Sequence, residues 1–414
     1  MNNCDNNKTI WMISHYASFL ESRPVQLGRA FVKEGYKVVV ITSSFHHGFR
    51  KYLFDEEYHV EEKGEGITFV YLHSGPAYQK NDSKRVLNFF SFNRLTRKYA
   101  GKIAGEYGNP TFIIGSSLHP LVWETSNSLA KRYGAKWVAE VRDLWPLQLT
   151  EMMGLGKLNP IVLFFGMIEK RAYKRSNAIV TTMPYAYKYI SGELGFDREK
   201  ISWMPNGIDT QLADQNLADE SIVVPAELDE YLTNHWCAVF SGSIVKGERL
   251  SFIVDAFNKI KNQDIHLAII GTGHYKDEIV EKINNMGLDD RIRIFDRVDY
   301  NVIPKILDKA GCCVAAHDDS PLYKYGISMM KNNDYLYSGK PVVFACSAEN
   351  VVSETLNKKI SSDDIEGFAE AIDYYHDASK EELDKIYNIE RTKIREVYDY
   401  ALIGKRYIEL MEKM

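Results

Sequence analysis

Short runs of β-branched and other apolar residues recur along the chain, and most are followed by a segment with helical spacing. Residues 9–14 (TIWMIS) read as a buried strand. Residues 25–34 carry apolar side chains at helical intervals and stop at Gly35, a residue suited to closing a helix. Residues 36–42, 68–72, 111–115, 137–141 and 178–182 predict further strands. Residues 127–133, ending at Gly134, and 168–175 predict helices among them. The second half repeats the plan. Strands are expected at 237–241, 266–270, 291–295, 312–316 and 341–345, and helices at 250–260, 276–286, 303–310 and 331–337. Such alternation predicts an α/β chain with parallel sheets covered on both faces.

Between the halves, residues 201–204 predict a strand that runs into the turn signal Asn206-Gly207-Ile208-Asp209. Residues 211–230 are acidic and polar with little periodicity, so they read as linker or surface. Residues 391–414 form one long helical pattern. A chain of 414 residues is too long for one ordinary domain and suits two.

Charge divides along the same line. The net charge is -5, but residues 1–205 carry +8 and the remainder -13. A basic half joined to an acidic one suggests that the first half faces something anionic, chance drift of surface charge being the alternative. Two basic-apolar clusters stand out there. One is 80–85 (KNDSKR) with Phe89, Phe90, Phe92, Arg94, Arg97 and Lys98. The other is 161–167 running into Lys170, Arg171, Lys174 and Arg175. Such clusters suit an anionic membrane surface; a buried helix and core phenylalanines are the alternative. The longest suggestive apolar run, 161–168, is about half of what spans a bilayer. The N-terminus lacks a basic-then-apolar leader pattern. A cytoplasmic protein, at most peripheral on the inner face of the cell membrane, is therefore expected. The five cysteines, Cys4, Cys237, Cys312, Cys313 and Cys346, are odd in number and lack CxxC spacing, so they read as reduced thiols and not as a metal site.

In parallel α/β sheets, ligands bind beyond the carboxyl ends of the strands. Three such ends in the second half carry candidate chemistry. Gly242, Ser243 and Lys246 follow one strand, and Gly271 and Gly273 follow another. Gly326-Ile327-Ser328 leads into a helix expected to start near Ser328, whose free N–H groups suit a diphosphate. Lys331 and Asp334 are three apart on that helix, placed to offer a cation to phosphate and a carboxylate to sugar or ribose hydroxyls. An N-capping serine with a solvated Lys–Asp pair is the structural alternative, as a surface turn is for Lys246. In the first half, Arg142 and Asp143 end a strand within EVRDLWP, and His119 ends another, as either a substrate contact or a structural hydrogen bond.

The Asn206-Gly207-Ile208-Asp209 junction, the Gly271/Gly273 loop and the Gly326, Lys331, Asp334 helix resemble glycosyltransferase family 4, retaining transferases of the GT-B fold. EVRDLWP resembles the WbuB-type bacterial subgroup of surface-polysaccharide assembly. The resemblance runs over nearly the whole chain. It implies two Rossmann-like domains facing each other across a cleft: 1–205 for the acceptor and 206–395 for the nucleotide-sugar. A C-terminal helix, 396–414, would cross back to the first domain. It further implies that Lys246 reaches the donor diphosphate, that Arg297 and Val298 lie in the turn that reads the nucleobase, and that Lys331 and Asp334 match family positions. Catalytic roles fall to Asp143, Arg142, His119, Lys246 and Lys331.

The implied reaction moves a sugar, an N-acetylated amino sugar among the candidates, from a donor expected to be UDP-linked. The acceptor would be polyprenyl-diphosphate-linked or a glycan, in capsule or O-antigen assembly. No cofactor, metal or nucleic acid is expected; no DxD cluster stands out, and Asp318-Asp319 has no evident third ligand. The chain departs from the family where its first acidic position falls on Gly326, where Ser243 replaces arginine, and where residues 16–20 lack a glycine pair. A GT-B epimerase or phosphorylase, and a non-catalytic nucleotide-sugar-binding subunit, remain competing readings.

Overall fold

The computed structural model describes residues 8–17, 22–47, 50–62, 66–80, 82–348 and 357–414. Cys4, Ser18, Phe19, Leu20 and Asn81, quoted above, lie outside them. The chain divides into two compact units, Met1–Pro205 with Tyr400–Met414, and Asn206–Asp399.

In the first unit the strands are β1 (Thr9–Ser14), β2 (Lys37–Ser43), β3 (Phe45–His46), β4 (Lys51–Tyr52), β5 (Tyr58–Glu62), β6 (Ile67–Leu72), β7 (Pro110–Ser117), β8 (Lys136–Val141), β9 (Ala178–Thr181) and β10 (Ile201–Trp203). Among the described residues, eight of them form one sheet in the order β10-β9-β8-β7-β1-β2-β6-β5. All neighbours are parallel except β5, which runs against β6. Every residue of β1 is buried, as a strand covered on both faces requires. The helices are α1 (Arg23–Lys33), α2 (Ser83–Tyr107), α3 (Leu121–Tyr133) and α4 (Pro160–Arg175). Asp82 starts α2 by accepting the Lys84 N–H at 3.0 Å. This helix escapes the sequence pattern because apolar residues fall on both of its faces: Phe89 and Phe92 are buried, whereas Leu87 and Phe90 are exposed.

The second unit carries β11 (Trp236–Ser241), β12 (Ile265–Ile270), β13 (Ile292–Phe295), β14 (Cys312–Ala316), β15 (Val342–Ala345) and β16 (Lys358–Ile360) in one parallel sheet, ordered β13-β12-β11-β14-β15-β16. Its helices are α5 (Thr210–Ala218), α6 (Ala226–Asn234), α7 (Leu250–Phe257), α8 (Lys276–Asn285), α9 (Ile303–Asp308), α10 (Met330–Ser338), α11 (Ile365–His376) and α12 (Lys380–Lys393). Residues 211–230 are therefore not a linker. Asp209 caps α5 by accepting the Leu212 N–H at 3.0 Å, and Leu228, Tyr231 and Leu232 of α6 are buried in the core. Cys237, Cys312, Cys313 and Cys346 are buried free thiols.

The C-terminal pattern is not one helix. Beyond α12 comes a π-helical turn, Ile394–Tyr398, and then extended backbone at Asp399. α13 (Tyr400–Glu412) starts after this break and belongs to the first unit. There it packs on α1, where a Cβ added at Gly404 would overlap Ala30. Glu412 pairs with Lys8 at 2.8 Å, and the Tyr407 hydroxyl donates to the buried Glu140 at 3.1 Å.

Candidate functional site

In the second unit, candidate groups gather where β11, β12 and β14 end. The loops after β11 and β12 are laced by their backbones: Gly242 N–H donates to Ile270 C=O and Ile244 N–H to Thr272 C=O, both at 3.0 Å. A Cβ at Gly271 would overlap the Gly242 carbonyl, and one at Gly273 the Ile244 carbonyl. These glycines are thus needed first for the approach of loop to loop.

Lys331, in the first turn of α10, extends its ammonium to this place. Its Nζ lies 3.5 Å from where a Gly242 Cβ would be and 4.7 Å from the centre of the Phe240 ring. It is paired with the carboxylate of Glu248. Burial lowers the pKa of this ammonium from the ordinary lysine range, and the Glu248 charge opposes that shift. Behind Glu248, His317 Nε2 stands 3.5 Å from the same carboxylate, and His317 Nδ1 lies 3.1 Å from Gly247 C=O. Burial favours its neutral form. Lys246 and Ser243 are exposed on the same loop. The acidic pair Asp318-Asp319 is engaged within the protein: Asp318 meets Arg249 at 3.2 Å, and Asp319 accepts the Ser362 hydroxyl.

Two sequence-based expectations in this unit need correction, and one departure finds its cause. Ser328 does not cap the helix: α10 begins at Met330 after Met329. The Ser328 hydroxyl instead accepts the Asn206 N–H at 2.8 Å, its carbonyl accepts Asn206 Nδ2 at 2.6 Å, and Asn333 Nδ2 donates to Asn206 C=O at 2.9 Å. The Asn206 junction is latched to this turn. Asp334 and Lys331 are not a solvated pair: Asp334 accepts the Tyr300 hydroxyl at 2.6 Å and lines a recess with Asp214, Tyr337 and Arg391, whereas Lys331 pairs with Glu248. The missing acid at Gly326 has a backbone cause. The residue is buried with φ 84°, ψ 172°, where a side chain is strained. Ile327 packs half-buried against the core, as does Val298 after β13, while Arg297 is exposed.

In the first unit, Arg142 and Asp143 are half-buried at the end of β8. Arg142 N–H donates to the Ser117 hydroxyl at 3.3 Å, and Asp143 accepts from Gln148 at 2.8 Å. Burial raises the Asp143 pKa, and Arg142 opposes it. His119 is not at an open mouth. It is fully buried, stacked on Phe89 with ring centres 4.1 Å apart. Its Nε2 lies 2.8 Å from His15 Nδ1, and His15 Nε2 lies 2.8 Å from Asn88 Oδ1. Asn88 Nδ2 donates to Ser74 C=O, so its Oδ1 accepts, His15 carries its proton on Nε2, and His119 donates from Nε2. His119 Nδ1 is then a buried acceptor with no hydrogen-bond partner. Burial holds His15 down to about 3 and His119 well below the ordinary histidine range, so both rings are neutral.

Sequence reading missed this cluster, in which Tyr16 and His47 also meet the Tyr78 hydroxyl at 2.6 and 2.8 Å. The signal is present in the sequence, because His15 and Tyr16 directly follow β1. Glu248 and His317 were missed as well; both follow strands of the second sheet. Among the described residues, no group of three or more His, Cys, Asp or Glu side chains is placed to hold a metal ion.

Residues 20–212 match the model of Glycosyltransferase Family 4, and residues 237–377 match that of Glycosyl transferases group 1. No curated protein sequence matches the chain. Solved structures similar to it include a sucrose-phosphate synthase from Thermosynechococcus elongatus (TM-score 0.75, 15% identity, covering 98% of this chain and 99% of that one). HepE from Anabaena, in complex with UDP and glucose, is similar at TM-score 0.68 and 12% identity, covering 99% and 100% of the two chains. An alpha,alpha-trehalose-phosphate synthase (UDP-forming) from Burkholderia vietnamiensis is similar at TM-score 0.70 and 10% identity, covering 99% of each.

Proposed function

Since the chain is a glycosyltransferase of the GT-B type, we propose that it is a retaining, metal-independent enzyme using a UDP-sugar donor. An N-acetylated amino sugar is the favoured cargo. The acceptor is a polyprenyl-diphosphate-linked or glycan substrate of capsule or O-antigen assembly, met on the inner face of the cell membrane. UDP is favoured because HepE and the trehalose-phosphate synthase, similar in fold, are described with UDP or as UDP-forming.

The observation that carries the reading is the Lys331 ammonium, held against the Gly242 loop at the strand ends of the second sheet. In the reaction, the bond between the anomeric carbon and the β-phosphate oxygen breaks as a bond to the acceptor oxygen forms. The acceptor hydroxyl gives its proton to the departing phosphate oxygen, which releases it to water, and UDP leaves with one added negative charge. Lys331, Lys246 and the N-terminal end of α10 are the groups suited to stabilise that charge. Arg142 and Asp143 are the polar candidates on the acceptor side. His119, fully buried and bonded to His15 at 2.8 Å, takes the structural role.

The test is calorimetric titration of the purified chain with UDP-, GDP- and ADP-sugars, followed by transfer to a lipid-linked acceptor. Preference for GDP- or ADP-sugars would overturn the donor assignment. The positive-φ backbone at Gly326, where a carboxylate-bearing side chain would be strained, favours a second reading, a non-catalytic donor-binding subunit. Donor binding without hydrolysis or transfer would select it.

A further inference from the structure

We infer that one face of the first unit, built by the start of α2, the loop 152–159 and α4, is a docking surface for an anionic lipid bilayer. It deepens the membrane-borne acceptor proposed above and rests on that reading for its purpose. Every large apolar side chain exposed among the described residues of the first unit falls within 86–90 or 152–167. Leu87 and Phe90 are 56% and 48% exposed, Met153 62%, Leu158 85%, Ile161 53% and Phe164 39%. In the second unit the corresponding side chains are Val223, Val280, Tyr374, Tyr387 and Ile389, spread over one loop and three helices.

The two stretches meet in space. Phe89 of α2 is buried in the same cluster as Trp145, Leu149, and Val162 and Phe165 of α4. The exposed residues therefore surround one buried centre, beside the strand-end loop that carries Arg142 and Asp143. A helix facing water ordinarily turns its polar side outward. α4 buries one apolar face and exposes Ile161, Leu163, Phe164 and Met167 besides, and exposed apolar side chains gathered in this way mark an interaction site.

The charge around it selects the occupant. Lys84, Lys157, Lys170 and Lys174 are exposed, and none has an acidic ion-pair partner among the described residues. A groove of about 560 Å³ runs along α4. Its apolar lining includes Pro146, Val162, Leu163 and Met167, and Lys170, Lys174, Arg171 and the buried Glu169 line it too. Apolar side chains entering the acyl region, with lysines at headgroup level, suit a bilayer of anionic lipid. Among the described residues no helix is long and apolar enough to cross a membrane, so the proposed contact is a surface one.

Flotation of the full chain with phosphatidylglycerol-containing vesicles, and with phosphatidylcholine vesicles alone, tests this. Salt-sensitive binding to the first is expected. Ile161→Glu with Phe164→Glu should weaken it by at least about tenfold, and Lys170→Glu with Lys174→Glu should weaken it and flatten its salt dependence. Circular dichroism and UDP-sugar calorimetry on the same variants check that fold and donor site persist. No binding to anionic vesicles, or binding unchanged by both pairs of substitutions, overturns the surface. So does sedimentation showing that the patch joins two copies of the chain and that Phe164→Glu separates them. Vesicle binding by a chain that binds no nucleotide-sugar leaves the surface standing and removes the proposed enzymatic reading instead.

Discussion

The ammonium of Lys331 is paired with the carboxylate of Glu248, although the two residues lie on different elements, the first turn of α10 and the loop after β11. Each side chain is 17% exposed, so the pair is largely withdrawn from water. A buried charge needs a counter-charge, and a donor diphosphate is a stronger one than a single carboxylate. On the proposed mechanism, donor binding exchanges Glu248 for phosphate at Lys331.

Lys331→Ala should then weaken donor binding. Losing a charge-assisted hydrogen bond costs about 1.5–3 kcal/mol, or roughly ten- to a hundredfold in affinity. Calorimetry with the cognate UDP-sugar measures it, and unchanged affinity would remove Lys331 from the donor site.

The same pair sets a pH dependence. Donor binding requires the protonated amine, and burial has lowered its pKa. Affinity should therefore hold at low pH and fall as pH rises through that depressed value, earlier than for an ordinary lysine. Lys331→Arg keeps its charge throughout and should abolish the fall. A wild-type affinity that is flat into the ordinary lysine range would contradict the assignment.

Much of the fold is legible because buried parallel strands are near-continuous apolar runs bounded by glycine and polar turns. Residues 9–14 and 312–316 show this directly. The failures have physical causes. α2 has apolar residues on both faces, which blurs its period. α5 and α6 are short, and polar surface residues outnumber those that anchor them. At the site, lysines and glycines after strands could be read from order alone. Their partners could not: Glu248 lies 83 residues from Lys331, and His15 lies 104 from His119. Only folding makes such pairs.

Glu140, the first residue of EVRDLWP, is a structural ion. It accepts Arg23 Nε at 3.0 Å and Nη2 at 2.9 Å, and the Ser116 hydroxyl at 2.7 Å. Arg23 and Glu140 are 0% and 1% exposed, and Arg23 also donates to the Met204 and Pro205 carbonyls. Removing one partner strands the other charge in the core. Arg23→Ala should destabilise the chain by about 3–5 kcal/mol, read as a lower urea midpoint. A loss under about 1 kcal/mol, the range of a surface pair, would show that water reaches Glu140.

Acid should unfold the first unit through its histidines. The folded pKa of His15 is depressed to about 3 by burial, whereas an unfolded histidine titrates near 6.5. Between those values the unfolded chain binds the extra proton. Stability from this group is thus complete above pH about 6.5 and is lost progressively as pH falls towards 3. His15→Asn, which cannot titrate, should flatten this dependence in urea melts across that window. A slope unchanged by the substitution would assign acid sensitivity elsewhere.

Transfer should continue in EDTA. The departing diphosphate needs positive charge, and Lys331, Lys246 and the start of α10 are proposed to provide it without a cation. The adjacent carboxylates most suggestive of a metal clamp are already engaged, Asp318 by Arg249 and Asp319 by Ser362. A metal there would have to displace both partners. Initial rates of the purified enzyme, measured after chelation and again after adding Mg²⁺ or Mn²⁺, decide the matter. Equal rates are expected throughout. Loss of activity in EDTA that returns with the cation would replace the lysine-based mechanism with a metal-assisted one, and Asp318→Asn and Asp319→Asn would then be the first variants in which to look for its ligands.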